Sequence, residues 1–322
     1  MGGRSLGYGS PVGHATPAEA VDAINDVSGS HPGHRAAHAK GTLMAATFTA
    51  TPDAARLTRA PHMQGQPVRA TVRFSNGGGE PDAPDHGREG RGMAVKFYLD
   101  DGATTDIVAL TLPCFFVRTP DEFVEFMRAR KPDPETGEPD MEKVGAFLGE
   151  HPEAVPAIQA ALSAAPPASY VTTPYNGIHT FRWTDADGEA RHVRYRFEPE
   201  AGIEELTDEE AQARGDDYLQ RDIVDRAGAA FRLVVAIAQD GDPIDDPTVA
   251  WPDDRETVEV GRLELTGPET DRETGDDVLV FDPTRVADGI ETSDDQILLF
   301  RPRAYAVSVQ RRAGAPIPEH LA

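Results

Sequence analysis

The stretch QILLFRPRAYAVSVQRR, residues 296–312, organises the reading of this chain. It opens on an apolar run, Ile297–Phe300, and then sets Arg301, Tyr305, Ser308 and Arg312 at helical spacings. At 3.6 residues per turn those four positions line one face of a helix. Pro302 suits the first helical position, so the helix is predicted to begin near Arg301. A guanidinium one turn before a phenol favours the phenolate, because opposite charge stabilises the charged form. At ~4 Å and an effective dielectric of ~20 the attraction is roughly 4 kcal/mol. That equals about three pKa units, enough to bring a phenol from ~10 towards neutrality. A tyrosinate is a strong anionic ligand for ferric iron, and tyrosine is one of the axial ligands of haem. The plainer alternative is a packed tyrosine with arginines snorkelling beside it.

The rest of the chain sets the frame for that choice. Its 322 residues are 39% hydrophobic and 27% charged, enough for one large β-rich domain or two smaller ones. Asp and Glu number 55 against 31 Lys and Arg, a formal net charge of −24. Such a surface repels nucleic acid and anionic membranes, so neither is an expected partner. The single cysteine, Cys114, excludes an internal disulfide and a cysteine-based zinc site, and beside Phe115 it suits a small buried filler. No run reaches the roughly 20 apolar residues that span a bilayer. The opening MGGRSLGYGSPVGHATPAEA lacks a signal-peptide core, which points to a cytoplasmic protein.

Residues 1–30 read as a polar arm with one short helix near Pro17–Val27, and residues 31–322 as the main domain. Strands are predicted at Thr42–Ala50, Val68–Ser75, Gly92–Leu99 and Thr105–Leu110, rich in β-branched and aromatic residues and bounded by Gly, Asp and Pro. Helices follow at Thr119–Arg130, capped by Thr119 with Pro120 at its first position, then at Met141–Gly149 and Pro152–Ala164. Ile178–Thr184 and Arg191–Phe197 form a hairpin around DADG. Thr207–Arg226 reads as one helix opened by a capping box with Glu210. Ala230–Ala238 and Thr257–Leu265 complete about eight mostly antiparallel strands, with helices between two sets of four. No GxGxxG after a strand and no Walker loop appears, which argues against a nucleotide-binding sheet.

His38, in RAAHAKG just before a strand, is the candidate base, since imidazole titrates nearest neutrality. Arg35, Arg73 and Arg312 are ordinary surface charges when taken singly. In so acidic a chain, convergence on a bound dianion is the alternative, for which the bidentate guanidinium fork is suited.

Six segments taken together resemble the haem catalases, of the short catalase-related peroxidase kind. They are RAAHAKG (35–41), TVRFSNGGGE (71–80), RGMAVKFYLDDG (91–102), LPCFFVRTPDEF (112–123), NGIHTFRW (176–183) and FDPTRVADGIETSDDQILLFRPRAY (281–305), in the family's order. The resemblance implies an α+β fold, an eight-stranded antiparallel β-barrel with attached helices, and a b-type haem with ferric iron. By that likeness His38 is the distal base that takes a proton from peroxide and returns it to the leaving oxygen, and Ser75 supports it. Tyr305 is the proximal ligand to the metal, Arg301 holds it deprotonated, and His179 and Asp295 extend that network. Arg35, Arg73 and Arg312 clamp the haem propionates. Phe115 and Phe123 lie over the haem and along its distal channel. Hydrogen peroxide or an organic hydroperoxide, with a small organic reductant, are the implied partners.

Two departures from the family's pattern matter. Leu110, with Thr111 beside it, stands where catalases carry an asparagine that orients a second peroxide. Ala37 replaces a bulkier aliphatic residue before His38. The chain also lacks the arm, wrapping segment and C-terminal helices of full-size catalases, which favours a monomer or homodimer over an interwoven tetramer. Oxidation of organic substrates is therefore expected to dominate, with weak or absent catalase activity. A true catalase, a fatty-acid hydroperoxide isomerase of the allene oxide synthase kind, a haem-storage protein without turnover and a barrel without haem are the alternatives.

Overall fold

Successive residues of a strand point to opposite faces, and this chain uses that period to close a sheet with two unlike faces. The computed structural model describes residues 15–270, 272–274 and 278–314. In order, its elements are α1 (Pro17–Ser28), β1 (Gly41–Ala50), the one-turn α2 (Ala54–Leu57), β2 (Val68–Asn76), β3 (Arg91–Tyr98), β4 (Thr104–Leu110), α3 (Pro120–Ala129), α4 (Met141–Glu150) and α5 (Val155–Ser163). Then follow β5 (Tyr175–Asn176), β6 (Phe181–Thr184), β7 (Ala190–Pro199), α6 (Asp208–Arg214), α7 (Tyr218–Ile223), β8 (Ala230–Ile237), β9 (Thr257–Pro268), β10 (Ile290–Thr292) and α8 (Gln296–Ala313).

β1 to β5, β7, β8 and β9 pair side by side and β9 returns to β1, which closes an eight-stranded ring. Every pairing is antiparallel. The expected α+β barrel with attached helices is the observed fold. β6 continues along the β7 edge beyond β5 and carries β10 outside the ring. The strand predicted over 178–184 is observed only over 181–184, because the chain turns at His179 after the separate short strand β5.

The inward residues of the ring are large and apolar. Phe48, Phe74, Phe97, Phe197 and Phe231 are fully buried in one cluster. Phe48 meets Phe97 edge-on at 5.2 Å, and Phe74 stacks on Tyr170 at 5.6 Å. Each such ring contributes about 1.5–3 kcal/mol on burial. The barrel is therefore filled by its own side chains, and a cofactor must bind elsewhere.

The helices form a second layer outside the ring. α1, α3, α4 and α8 share a smaller cluster around Ala20, Val124, Phe126, Phe147 and Ile297. α3 begins as predicted, with Thr119 accepting from the Glu122 amide and Pro120 at the first position. Of the expected 1–30 arm, residues 1–14 lie outside the described residues, while α1 packs on α3 and α8.

Two helix predictions need correction. The helix predicted over 207–226 is α6 and α7, parted at Gly215, whose φ of 86° ends a right-handed turn. α8 starts at Gln296, not near Arg301. The Asp295 carboxylate accepts from the Ile297 and Leu298 amides and supplies the cap. Pro302 therefore sits inside the helix, at the loss of one backbone bond. Burial of Ile297 and Leu298 ahead of it offsets that loss. Among the described residues, no helix is long and apolar enough to cross a membrane.

Candidate active site

The outward face of β2 to β4 and the inner face of α8 enclose one cavity, part of it open to solvent. His38, Ser75, Gly92, Ala94, Val108 and Leu110 line the barrel side. Arg301, Ala304, Tyr305, Ser308, Val309 and Arg312 line the helix side. The helical face inferred from spacing alone is thus the face turned to the cavity.

The barrel wall is built by register. Gly41, Ser75, Gly92 and Leu110 lie opposite one another in a row across β1 to β4. The segment before β1 is held by the backbone: His38 N donates to Gly77 O at 3.2 Å and Ala39 N to Gly78 O at 3.0 Å. His38 has φ 55°, the one positive value among described non-glycine residues. A left-handed conformation there is strained and persists only where its surroundings enforce it. It lays the imidazole on the backbone of Gly92. A Cβ at position 92 would stand 2.7 Å from Ser75 Oγ and 2.8 Å from His38 Nδ1, so only glycine leaves room for the ring.

His38 Nδ1 lies 3.0 Å from Ser75 Oγ, which leaves Nε2 to exchange a proton. The imidazole is open to the cavity but otherwise deep in protein. Burial and the charges of Arg73, Arg301 and Arg35 lower its pKa to about 3, so it is neutral at pH 7.

The helix side carries a chain of charge-assisted bonds. Arg301 Nε donates to Tyr305 Oη at 2.7 Å, and Arg301 Nη1 reaches His179 Nε2 at 2.8 Å. A guanidinium can only donate, so Nε2 is the acceptor and Nδ1 bears the proton. Nδ1 donates to Asp295 Oδ2 at 2.6 Å. Burial keeps the His179 pKa below its ordinary value despite Asp295, consistent with a neutral ring in that tautomer. Asp295 both caps α8 and anchors this chain of bonds.

At one end of the cavity three arginines meet. Arg35 Nε donates to Glu273 at 2.9 and 2.8 Å, and Arg73 Nε donates to Glu273 Oε1 at 2.9 Å. Arg312 Nε lies 3.4 Å from Glu273 Oε2. The convergence expected of Arg35, Arg73 and Arg312 is present, with a carboxylate of the chain at its centre. Burial, then the neighbouring Arg35 charge, lower Arg73 to about 10. Burial alone would raise the pKa of Glu273, but Arg73 and Arg35 outweigh it and hold it below the ordinary value.

Phe115 and Phe123 do not line the cavity. Their rings stack at 6.5 Å within the apolar layer of α1, α3 and α8. Val21 and Ile24 of α1, Val280 and Phe281 line it instead. The three-residue apolar spacing of Val21 and Ile24 was the available signal for α1. Glu273 had none, in a chain with 55 acidic residues.

These donors fit a haem. A phenol held by an arginine suits ferric iron, a neutral imidazole shares the cavity with it, apolar residues line the walls, and three guanidiniums grip a carboxylate, the head group that a propionate also carries.

Comparison with known proteins agrees. The family model described as Catalase matches residues 20–319. A catalase-related peroxidase of Mycolicibacterium paratuberculosis is 44% identical over 94% of this chain and 96% of its own length. One from Synechococcus elongatus is 36% identical over 92% and 88%. A fungal catalase crystal structure superposes with a TM-score of 0.79 at 27% identity, over 88% of this chain and 60% of that one. The chain belongs to the catalase family.

Proposed function

We propose that this protein is a ferric b-type haem peroxidase that uses hydrogen peroxide or an organic hydroperoxide to oxidise small organic reductants, with little turnover of peroxide to dioxygen. The observation that carries the reading is the pairing, across one cavity, of an arginine-bound Tyr305 with a neutral His38. The names of the relatives, catalase-related peroxidase, support it.

Tyr305 is the residue that would hold the iron, and Arg35, Arg73 and Arg312 would hold the propionates. Bound haem supplies the redox centre that takes up the two oxidising equivalents of the peroxide. His38 Nε2 accepts the proton of the incoming peroxide and returns it to the far oxygen. Heterolysis of the O–O bond would release that oxygen as water from hydrogen peroxide, or as the alcohol from an organic hydroperoxide, with the remaining oxygen and its two oxidising equivalents left to the bound haem. Ser75 fixes the ring through Nδ1, and Gly92 gives it a floor. Arg301 stabilises negative charge on the Tyr305 oxygen, and His179 with Asp295 keeps Arg301 in place.

The balance between organic oxidation and dioxygen release rests on Leu110. It lies opposite Gly92, lines the same cavity as His38, and offers no amide to orient a second peroxide. Its methyl groups, with Val108, Val280 and Phe281, give the cavity an apolar wall for an organic reductant. The test is a Soret spectrum of the purified protein followed by steady-state assays. Oxidation of a phenolic donor is expected to outpace dioxygen evolution at equal peroxide; the reverse order would make it a true catalase.

A further inference from the structure

Four segments far apart in sequence meet at the arginine cluster. Arg35 precedes β1, Arg73 points outward from β2, Arg312 ends α8 and Glu273 follows β9. The guanidiniums are held by main chain as well as by Glu273. Arg73 donates from Nη1 to His38 O at 2.9 Å and from Nη2 to Ala39 O at 3.3 Å. Arg35 Nη2 donates to Leu279 O at 2.9 Å. Even Gly41 serves this arrangement, since a Cβ there would stand 2.8 Å from Arg73 Cζ. The arginines are thus set by carbonyls, and the Nε groups of Arg35 and Arg73 are turned to one carboxylate.

We infer that Glu273 is an internal stand-in for a haem propionate: its carboxylate closes the arginine cluster of the haem-free chain and yields its place when haem enters. The inference rests on the haem reading above. A propionate has the same carboxylate head as a glutamate side chain and seeks the same N–H donors. One Nε–H cannot bond fully to both. A retained Glu273 would also face the propionate as a like charge within a few ångströms, which is unfavourable in a partly buried site. Among the described residues, Glu273 is the one carboxylate in ion-pair contact with Arg35, Arg73 and Arg312. Without it, the three guanidiniums would lose the carboxylate they share.

A thermodynamic cycle makes the consequence specific. Glu273 stabilises the haem-free state and contributes little once displaced. Whatever stability its removal takes from the haem-free protein must therefore reappear as tighter haem binding.

The experiment compares wild type with Glu273→Ala and the size-conserving Glu273→Gln. Haem-free samples are melted, titrated with hemin at the Soret band, and melted again when loaded. Both variants are expected to melt a few degrees lower than wild type without haem, to bind hemin about tenfold more tightly, and to melt with wild type once loaded. A variant that binds hemin as wild type does, or more weakly, overturns the exchange, as does a variant equally destabilised with and without haem. A wild type that develops no Soret band would overturn the haem reading, and the exchange with it.

Discussion

The barrel interior and the cavity outside it are two sides of the same strands, made from alternate residues. On β2, Val72 and Phe74 enter a packed core while Arg73 and Ser75 face the cavity. On β3, Val95 and Phe97 enter the core while Gly92 and Ala94 face out. The inward set is bulky and fills its space; the outward set is small or charged and leaves space. Stability and chemistry therefore depend on residues one position apart, and substitutions should separate the two.

The largest expected effect is on the cavity side. Tyr305→Phe removes the phenolic oxygen and should abolish the Soret band on hemin titration, while the haem-free protein melts nearly as before. On the inward side, Phe231→Ala should cost about 3–5 kcal/mol of stability in a urea titration. Activity per folded, haem-loaded molecule should be unchanged. If that variant instead lost turnover in proportion to stability, the two faces would not be separable. His38→Asn should slow the first peroxide step by roughly 10²–10⁴-fold, the range for a positioned base, and leave the melting curve close to wild type. Asparagine is chosen because it tolerates the left-handed backbone at that position.

A smaller effect joins both compartments. Each holds a neutral histidine: His38 in the cavity, lowered to about 3, and His62 beside Phe48 and Phe97, lowered by burial to about 4. The unfolded chain binds these protons near pH 6.5, the folded chain only well below it. Haem-free stability should thus be full above pH 6.5 and fall as pH drops from 6.5 towards 4, by the order of 1 kcal/mol per pH unit for each ring. His62→Phe should flatten the barrel's share of that slope in pH-dependent melting and leave the His38 share. The smallest change is Leu110→Asn, which should raise dioxygen evolution severalfold on an oxygen electrode. No rise would mean that the missing amide does not limit that reaction.

The features legible in the sequence were those with a short period. The four-residue spacing of Arg301 and Tyr305 gave the helix face, and runs of β-branched and aromatic residues gave the strands of the ring. The polar–apolar alternation VRATVRFS would also have shown that Arg73 and Ser75 share the outward face. Boundaries were less legible, because Asp295 as a cap competes with Pro302 as a first helical residue, and only burial of Ile297 and Leu298 decides between them. The break at Gly215 is one glycine in a segment otherwise suited to a single helix. Phe115 and Phe123, placed by likeness, pack in the apolar layer of the helices, while Val21 and Ile24 are among the residues that line the cavity. Glu273 was not legible, since its meeting with Arg35 and Arg73 depends on how a loop after β9 returns to β1 and β2.

The order of strands around the ring bears on how the protein comes together. β1 to β4 are neighbours in sequence as well as in space, so their pairing closes shorter loops than the rest of the ring. The seam between β1 and β9, with Phe48 opposite Leu263, joins distant parts of the chain and must come later. The surface bearing His38 and Ser75 is therefore expected to gain protection before the β1–β9 seam does, which pulsed hydrogen exchange during refolding would check. A porphyrin arriving early would meet only half of its seat.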